Sequence, residues 1–413
     1  MMRKPESEIA RSDKGTNDAP NAGFLAVHPT VGLTDRPMVS CSWALINVAL
    51  ALALLLLSIT AWGAPKPRRA TRSHPEATAA DLALARVRER VLNASPLALF
   101  YYSGDSLGMP SLEAHAEAMT LLSPHCYSLD GAGALRGQVP GGVLSVAHRA
   151  GLPLMPVVTN PGFDRSLAHA LLHNAQAQER AAKSLAQLAE TNQYLGWQLD
   201  FERIDPADKP AYTRFAARVA ARLHHQHRLL SVAVVPRFSD TFPYRPPGGF
   251  FTGEWGGAFD FRGLGRVADF LVLMAYDQHT PLTPPGPVAG YDWTKAAIDY
   301  AVDRVPPSKL LLGIPFFGRE WDETAQATTA RSLAYNDLKR FLDNPASERH
   351  WDDIGRSTWF QWREGETLRT AWFEDARSLR EKLKLVQINH LRGYAAWRLG
   401  VEDPDFWQES SSQ

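Results

Sequence analysis

The chain has 413 residues, of which 45% are hydrophobic and 21% are charged, so it can form one large α/β domain or two average domains with substantial cores. Its 44 lysines and arginines balance its 44 aspartates and glutamates, so no overall positive field favours nucleic acid as a partner. The two cysteines, Cys41 and Cys126, are too few and too far apart in sequence to indicate a disulfide framework or a thiolate metal site.

The N-terminal part of the chain is predicted to lie outside the main domain. Residues 1–42 are polar and poor in aromatic side chains, which is typical of a disordered tail. The uncharged residues that follow are long enough to span a bilayer and end in small side chains, so 43–64 is predicted to be a signal peptide or a membrane anchor. Residues 65–95 are predicted to form a linker and a leading helix. Both interpretations of 43–64 imply export to the periplasm, the cell envelope or the medium.

From residue 96 onward, short apolar runs alternate with segments whose apolar residues recur at three- and four-residue spacing, which indicates strands separated by amphipathic helices. Eight such runs, with no glycine-rich dinucleotide motif after the first, favour an α/β fold of the closed (β/α)8 TIM-barrel type over an open sheet. Residues 317–371 are too many for one helix and are predicted to be a small α+β insertion between strands seven and eight. The predicted strands are 98–102, 123–129, 152–158, 196–202, 229–235, 269–276, 309–315 and 392–399.

The fourth predicted strand, GWQLDFE, places three polar side chains on one face. Because successive side chains of a strand point to opposite faces, Gln198, Asp200 and Glu202 share a face, opposite Leu199 and Phe201. In a barrel the apolar pair suits the helix side, so the polar three point inward, where unpaired ionised groups cost several kcal/mol. No inward lysine or arginine is evident on the neighbouring strands, so an internal salt-bridge network is disfavoured. Glu202 ends its strand, at the face where barrel enzymes place catalytic groups.

Two other predicted strand ends add polar and aromatic groups to that face. Met274 and Tyr276 share one face of the sixth strand, with Asp277 at the mouth of the barrel, and Trp397 ends the eighth strand. A tryptophan ring at a barrel mouth is suited to stacking under a sugar, since the faces of pyranose rings are apolar. Filling of the core is the alternative role for Trp397. The carboxylates and the tyrosine at the other strand ends favour the sugar-binding role.

These motifs resemble the family 18 glycoside hydrolases, the chitinase-like barrels, and are most similar to the branch that contains bacterial spore-cortex-lytic N-acetylglucosaminidases. The family's strand-four pattern, DxxDxDxE, is present in its last two acidic positions as Asp200 and Glu202, while Leu195 and Gln198 depart from the first two. The similarity covers about residues 96–407. The other matching stretches are MAYD (274–277), LLGIPFFGREW (311–321), WFEDARS (372–378) and GYAAWRLGVEDP (393–404).

The resemblance implies an exported glycosidase that cleaves β-1,4 bonds next to N-acetylglucosamine in peptidoglycan or chitin, by a retaining mechanism in which the substrate assists. It implies that Glu202 is the general acid and base, that Asp200 orients the acetamido group, and that Tyr276 hydrogen-bonds the acetamido carbonyl. No cofactor or metal ion is expected. The expected partner is a polysaccharide, with no nucleic acid, a membrane contact only through the N-terminal segment, and a monomeric chain. The residues expected to contact sugar are Gln198, Asp277, Trp397, Met274, Arg319 and Tyr101.

Two function classes stay open on the sequence. One is the glycosidase, and the other is a non-catalytic carbohydrate-binding relative, a chitinase-like lectin of the cell envelope, that keeps the barrel and its groove. Such relatives typically lose the catalytic glutamate, so the presence of Glu202 favours the enzyme. His224, His225 and His227 look like metal ligands, but they end an amphipathic helix, where cations suit the helix dipole. The sequence leaves open the choice between chitin and peptidoglycan and between exo and endo cleavage.

Overall fold

The computed structural model of the chain describes residues 78–241, 254–324, 329–343 and 348–410. The predicted tail and the predicted signal or anchor segment, residues 1–64, lie outside these ranges. Within them, no helix combines the length and the apolar character needed to cross a bilayer.

Eight parallel strands close into a barrel, which confirms the predicted fold class. In chain order, all strands of the described residues, including those outside the barrel, are β1 (Leu97–Tyr102), β2 (Leu121–Leu129), β3 (Leu135–Gly137), β4 (Val157–Thr159), β5 (Gly196–Asp200), β6 (Leu229–Val234), β7 (Phe270–Leu273), β8 (Leu310–Pro315), β9 (Gly318–Asp322), β10 (Ala330–Leu333), β11 (Arg349–Asp352), β12 (Ser357–Glu364), β13 (Thr367–Phe373) and β14 (Gly393–Trp397). The order β1-β14-β8-β7-β6-β5-β4-β2 closes because β1 also pairs with β2, and the short β3 pairs antiparallel with β2 outside the ring.

Amphipathic helices cover the outside of this barrel. The helices are α1 (Ala79–Asn93), α2 (Gly108–His115), α3 (Gly141–Arg149), α4 (Arg165–Leu172), α5 (Ala175–Thr191), α6 (Lys209–His225), α7 (Phe261–Val267), α8 (Tyr291–Val302), α9 (Tyr335–Leu342), α10 (Ala376–Ile388) and α11 (Asp405–Ser410). Side-chain caps start several of them: Thr78 and Asp81 form a capping box at α1, and Asn174 accepts from two backbone N–H groups at the start of α5. Each cap satisfies N–H groups that the first helical turn leaves without partners.

Apolar side chains form one layer inside the barrel and a second between the strands and the helices. Trp197 and Leu199 of β5 and Phe201 directly after it belong to the outer layer, and Nε1 of Trp197 donates to the carbonyl of Leu185 in α5 at 2.8 Å. The predicted register of this strand is therefore confirmed, with Gln198 on the interior side. The inner layer includes Leu97, Leu99, Tyr101, Leu121, Met155, Val157, Leu195, Leu229, Phe270, Val272, Leu311 and Ala395.

Several strands are shorter than the apolar runs that predicted them. β5 ends at Asp200 and β7 at Leu273, so Glu202 and Tyr276 lie in the loops directly after the strands. The third predicted strand, 152–158, reduces to β4 and one bridge between Leu122 and Leu154, because Pro153 and Pro156 have no N–H for the ladder.

The insertion between β8 and β14 is a five-stranded antiparallel sheet in the order β10-β9-β13-β12-β11, with α9 on one face. A buried ion pair joins the insertion to α10, since Nζ of Lys382 lies 2.8 Å from Oε2 of Glu374 and both side chains are almost fully buried. Nζ of Lys382 also donates to Oγ of Ser357 on β12 at 3.1 Å, so α10 is hydrogen-bonded to the sheet. The side chains between the sheet and α9 include Leu333, Leu338, Phe360, Ala371 and Phe373.

Candidate active site

The loop after β5 carries Glu202, and a buried asparagine holds its backbone. The Glu202 amide donates to Oδ1 of Asn160 at 3.0 Å, and Nδ2 of Asn160 donates to the Glu202 carbonyl at 3.0 Å. Asn160 directly follows β4 and is fully buried. These two hydrogen bonds fix the Glu202 backbone at the carboxyl end of the barrel, the face that carries active sites in TIM-barrel enzymes.

The surroundings of Glu202 keep its carboxyl group protonated at neutral pH. Burial and then the negative charges of Asp200 and Asp277 raise the pKa of Glu202 to about 9. A carboxylic acid with a raised pKa holds a proton that it can transfer to a leaving group. Glu202 therefore has the protonation state that a general acid requires.

Asp200 keeps one carboxylate oxygen without a donor. The residue is buried at the end of β5, and its Oδ1 accepts no hydrogen bond from the part of the chain that the structure describes. Its Oδ2 lies 3.7 Å from Nε2 of His125 on β2. A buried acceptor without a partner costs about 1–3 kcal/mol, so this oxygen favours a bound molecule that offers an N–H group.

Tyr276 follows β7 and presents a protonated hydroxyl group. Burial, followed by the neighbouring Tyr101 and the acidic side chains of Asp200, Glu202 and Asp277, raises the pKa of Tyr276 well above its usual range. Gly313 on β8 leaves room for the ring, because a Cβ atom there would lie 3.1 Å from Cε1 of Tyr276. The hydroxyl group of Tyr276 is therefore available as a hydrogen-bond donor.

Asp277 is held by an arginine from the insertion. It has φ of 62°, a left-handed conformation that aspartate tolerates better than most residues, and it forms an ion pair with Arg319 of β9. The Arg319 guanidinium lies 5.2 Å from the ring centroid of Phe317 and is almost fully buried. The insertion thus contributes a side chain to the barrel mouth and positions one of the two charges that act on Glu202.

The ring of Trp397 lies at the end of β14, partly exposed. It meets Tyr101 edge-on with 5.2 Å between ring centroids, and His125 edge-on with 5.4 Å between centroids. His125 in turn lies 3.7 Å from Oδ2 of Asp200, so one imidazole contacts both the Trp397 ring and a carboxylate of the site. The packing of the Trp397 ring against Tyr101 and His125 holds it in one orientation.

Gln198 hydrogen-bonds a serine of the neighbouring strand, and among the described residues it forms no hydrogen bond to Asp200. Its Nε2 donates to Oγ of Ser231 on β6 at 2.9 Å, and its Oε1 is buried without a partner among the described residues. Ser231 is the register partner of Gln198 on the neighbouring strand, at about 4.8 Å, whereas side chains two residues apart on one strand are separated by about 6.6 Å. The distance between paired strands is the shorter of the two, so the Gln198 amide hydrogen-bonds Ser231 and not Asp200.

Most of the predicted site residues meet at the barrel mouth, and two lie deeper. Gln198 is fully buried one position below Asp200 on its strand face, and Met274 is buried in the larger apolar cluster. Their predicted contacts with sugar stay predictions. The described residues place no group of three metal-ligating side chains at this mouth, although one such group lies elsewhere. The residues linked by the contacts given above are Tyr101, Asp200, Glu202, Tyr276, Asp277, Arg319 and Trp397.

Sequence reasoning missed His125. Simple alternation along the second strand puts Ser123, His125 and Tyr127 on one face, which would have indicated His125 as an inward residue. The structure has a shift in pairing register between His125 and Tyr127, and Tyr127 packs instead against Trp197 in the outer layer. His125 alone reaches the site.

Sequence reasoning also missed a row of rings that crosses the insertion sheet, the aromatic row (His350, Trp359 and Trp372). Cross-strand pairing joins His350 to Trp359, Trp359 to Trp372, and Trp372 to Arg319. The ring centroids are 4.4 Å apart in the first pair and 5.6 Å apart in the second, and all three rings are partly exposed. The row therefore ends at the arginine that holds Asp277. The sequence shows one tryptophan in each of β12 and β13, but it does not show that strand pairing places Trp359 opposite Trp372.

The hydrogen bond between Gln198 and Ser231 predicts the behaviour of variants at both positions. We expect Gln198→Leu to lower the free energy of unfolding by about 1 kcal/mol, the net value of one hydrogen bond, and to leave kcat within about tenfold of wild type. Ser231→Ala should cost a similar amount, and the double variant should cost less than the sum of the two, because both substitutions remove the same bond. Urea denaturation and initial rates measure these effects. Additive losses, or a hundredfold loss of kcat in Gln198→Leu, would contradict the assignment.

Comparison with known families gives a match over most of the barrel. A family described as "Glycosyl hydrolases family 18" matches residues 148–402. The uncharacterized glycosylase YvbX of Bacillus subtilis (strain 168) is 24% identical over 372 residues, which cover 89% of this chain and 97% of YvbX. The cortical fragment-lytic enzyme of the same organism is 28% identical over 275 residues, which cover 65% of this chain and 62% of that enzyme.

Solved structures have the same fold. A chitinase from Chromobacterium violaceum superposes with a TM-score of 0.70 at 28% identity, covering 77% of this chain and 99% of the chitinase. The spore cortex-lytic enzyme SleL of Bacillus megaterium superposes with a TM-score of 0.67 at 24% identity, covering 76% of this chain and 72% of SleL.

Proposed function

Because the chain belongs to glycosyl hydrolase family 18 and is a glycosidase that acts on polysaccharide, we propose that it cleaves β-1,4 bonds next to N-acetylglucosamine by a substrate-assisted, retaining mechanism. The observation that carries the proposal is the pairing of two groups at the end of β5. Burial and the charges of Asp200 and Asp277 raise the pKa of Glu202 to about 9 and so favour its protonated form, while Oδ1 of Asp200 is a buried acceptor without a donor among the described residues. Protonated Glu202 is suited to give its proton to a leaving oxygen, and Oδ1 of Asp200 is suited to accept a hydrogen bond from an acetamido N–H.

In the proposed first step, Glu202 protonates the glycosidic oxygen while the acetamido oxygen of the substrate attacks the anomeric carbon. The C–O bond to the leaving sugar breaks, and a cyclic oxazolinium ion forms on the remaining sugar. Asp200 accepts a hydrogen bond from the acetamido N–H and stabilises the positive charge of the oxazolinium ion. The Tyr276 hydroxyl donates a hydrogen bond to the acetamido oxygen. Glu202, now a carboxylate, takes a proton from the water that opens the ring, so the configuration is retained.

The other site residues are proposed to bind and orient the sugar. The partly exposed ring of Trp397 offers a flat apolar surface on which a pyranose can stack, and Asp277, held by Arg319, is placed to accept from sugar hydroxyls. Tyr101 holds the Trp397 ring in place from inside the barrel. Gln198 is proposed to support the strand that carries Asp200 through its hydrogen bond to Ser231.

We propose peptidoglycan or chitin as the polymer, since relatives of this chain carry the names of cortex-lytic enzymes and of chitinases. To test this, purified peptidoglycan and chitin oligomers are digested and the products are identified by mass spectrometry, with Glu202→Gln as the matched inactive control. We expect new reducing ends on N-acetylglucosamine, and the polymer with the higher kcat/KM is the substrate. Products with other reducing ends, or products that Glu202→Gln also releases, would contradict the proposal.

We propose that residues 43–64 direct export of the chain and that residues 96–407 form its catalytic unit. The proposal rests on the uncharged, strongly apolar composition of that segment and on a substrate that lies outside the cytoplasm. Fractionation of producing cells should recover the protein outside the cytoplasmic membrane or attached to it. Recovery of the mature protein from the cytosol would contradict export.

A further inference from the structure

Two histidines and a buried aspartate converge on the catalytic face of the barrel, away from the carboxylates of the site. His169 lies in α4, and His173 follows one turn later, so both rings lie on the same side of the helix. Nδ1 of His169 lies 2.9 Å from Oδ2 of Asp208, and Nε2 of His173 lies 2.7 Å from Oδ1 of Asp208. The two rings stack with 4.3 Å between centroids. We refer to these three residues as the His–His–Asp cluster.

The cluster has a buried floor and an open top. The Asp208 side chain is 4% exposed, whereas the side chains of His169 and His173 are 58% and 51% exposed. One nitrogen of each imidazole and one carboxylate oxygen of Asp208 all lie within 4.8 Å of one another. Ligand atoms around a tetrahedral Zn²⁺ ion are about 3.4 Å apart, given metal–ligand distances of about 2.1 Å. Small rotations of two exposed rings would bring the atoms to that spacing.

We propose that His169, His173 and Asp208 form a binding site for a divalent transition-metal ion, with Zn²⁺ as the representative ion. Imidazole nitrogen together with a carboxylate is a donor set that suits Zn²⁺, Ni²⁺ and Cu²⁺, whereas Mg²⁺ and Ca²⁺ prefer oxygen ligands. The buried carboxylate is the fixed ligand, and the exposed face leaves room for water as a further ligand. One ion would replace the protons that the imidazoles now share with Asp208.

The position of the cluster shows what a bound ion would connect. Asp208 ends the segment that begins just after Glu202, and both histidines belong to the segment that begins with Asn160. These two segments already touch, since Nη1 of Arg165 lies 3.7 Å from Oδ2 of Asp205 and Asn160 holds the Glu202 backbone. A metal ion in the cluster would cross-link the loop of Glu202 to α4. Binding of the ion is independent of the proposed glycosidase mechanism, because none of the three ligands contacts the catalytic carboxylates.

The test is a calorimetric titration of the untagged full-length protein with Zn²⁺ after removal of bound metal by a chelator. We expect the wild type to bind one more ion than His169→Gln/His173→Gln, or to bind the matching ion at least ten times more tightly. The matched control is His224→Gln, because His224 pairs with Asp269 at 2.8 Å on an exposed helix end, and among the described residues this pair belongs to no group of three possible metal ligands. The control should bind Zn²⁺ like the wild type, and Mg²⁺ should give no comparable signal.

A second measurement separates binding from folding. Both histidines are exposed, so the double variant should keep the circular dichroism spectrum of the wild type, and Zn²⁺ should raise Tm for the wild type and the control but not for the double variant. Equal stoichiometry and affinity in the wild type and the folded double variant would overturn the proposal. Because neither measurement uses turnover, a failure here is distinguishable from a failure of the glycosidase mechanism.

Discussion

Replacement of Glu202 by Gln should lower kcat by at least about 10²-fold while the protein keeps its fold, because the amide has no proton to give to the leaving oxygen. The side chain has nearly the same shape, and the hydrogen bonds to Asn160 involve only the backbone of residue 202. Initial rates on a cleavable oligomer measure the effect, and the circular dichroism spectrum verifies the fold. The matched control is Glu113→Gln, since Glu113 is an exposed glutamate of α2. Turnover near that of wild type would exclude Glu202 as the acid.

The same substitution should stabilise the protein at neutral pH. In the folded state the pKa of Glu202 is about 9, compared with an ordinary value of 4.5, so folding favours the protonated carboxyl group. The stability that this group contributes is fully present below pH 4.5 and is lost as the pH rises towards 9. Glutamine is neutral at every pH, so the variant should match the wild type near pH 4 and exceed it by at least about 1 kcal/mol near pH 8. Urea denaturation near pH 4 and near pH 8 measures the difference in unfolding free energy between the variant and the wild type. An equal difference at both pH values would contradict the raised pKa of Glu202.

The second large effect concerns the substrate. Oligosaccharides without the 2-acetamido group should not be cleaved, because the proposed nucleophile is the acetamido oxygen and the nearby carboxylates have other roles. Asp277 is paired with Arg319, and Asp200 is a buried acceptor that we propose binds the acetamido N–H. Chitin oligomers and cello-oligosaccharides of equal length form the matched comparison, since both are neutral and they differ only at the 2-position.

The stereochemistry of the products provides an independent measure of the same mechanism. Double displacement through the oxazolinium ion should release the β-anomer first, and proton NMR recorded before mutarotation distinguishes the anomers. Early α-anomer, or cleavage of the cello-oligosaccharide at a comparable rate, would contradict substrate assistance. Inversion would instead require a water activated by a second carboxylate, and Asp277 would be the group to examine.

The sequence by itself determined the features that depend on neighbouring residues. The alternation of Gln198, Leu199, Asp200 and Phe201 predicted which side chains face the barrel interior, because the two-residue period of a strand is local. The eight apolar runs predicted the barrel, since strands separated by amphipathic helices bury both faces of a parallel sheet. The motifs at the strand ends predicted the carboxylates, the tyrosine and the tryptophan of the mouth, because the connectivity of a barrel brings the carboxyl ends of all its strands to one face.

Only the tertiary structure decided which distant groups meet and what this does to their chemistry. The partner of Gln198 is Ser231, and the pKa of Glu202 depends on Asp277, because these contacts depend on pairing register between strands and on loop geometry. The ion pair of Asp277 with Arg319 likewise depends on the pairing of β7 with β8, because each residue lies just beyond the end of one of these strands. The cluster of His169, His173 and Asp208 has no sequence signature beyond the spacing of its two histidines, since its carboxylate lies 35 residues further along the chain from His173. Local periodicity encodes which face of an element is buried, and the closure of the barrel decides which of those faces touch.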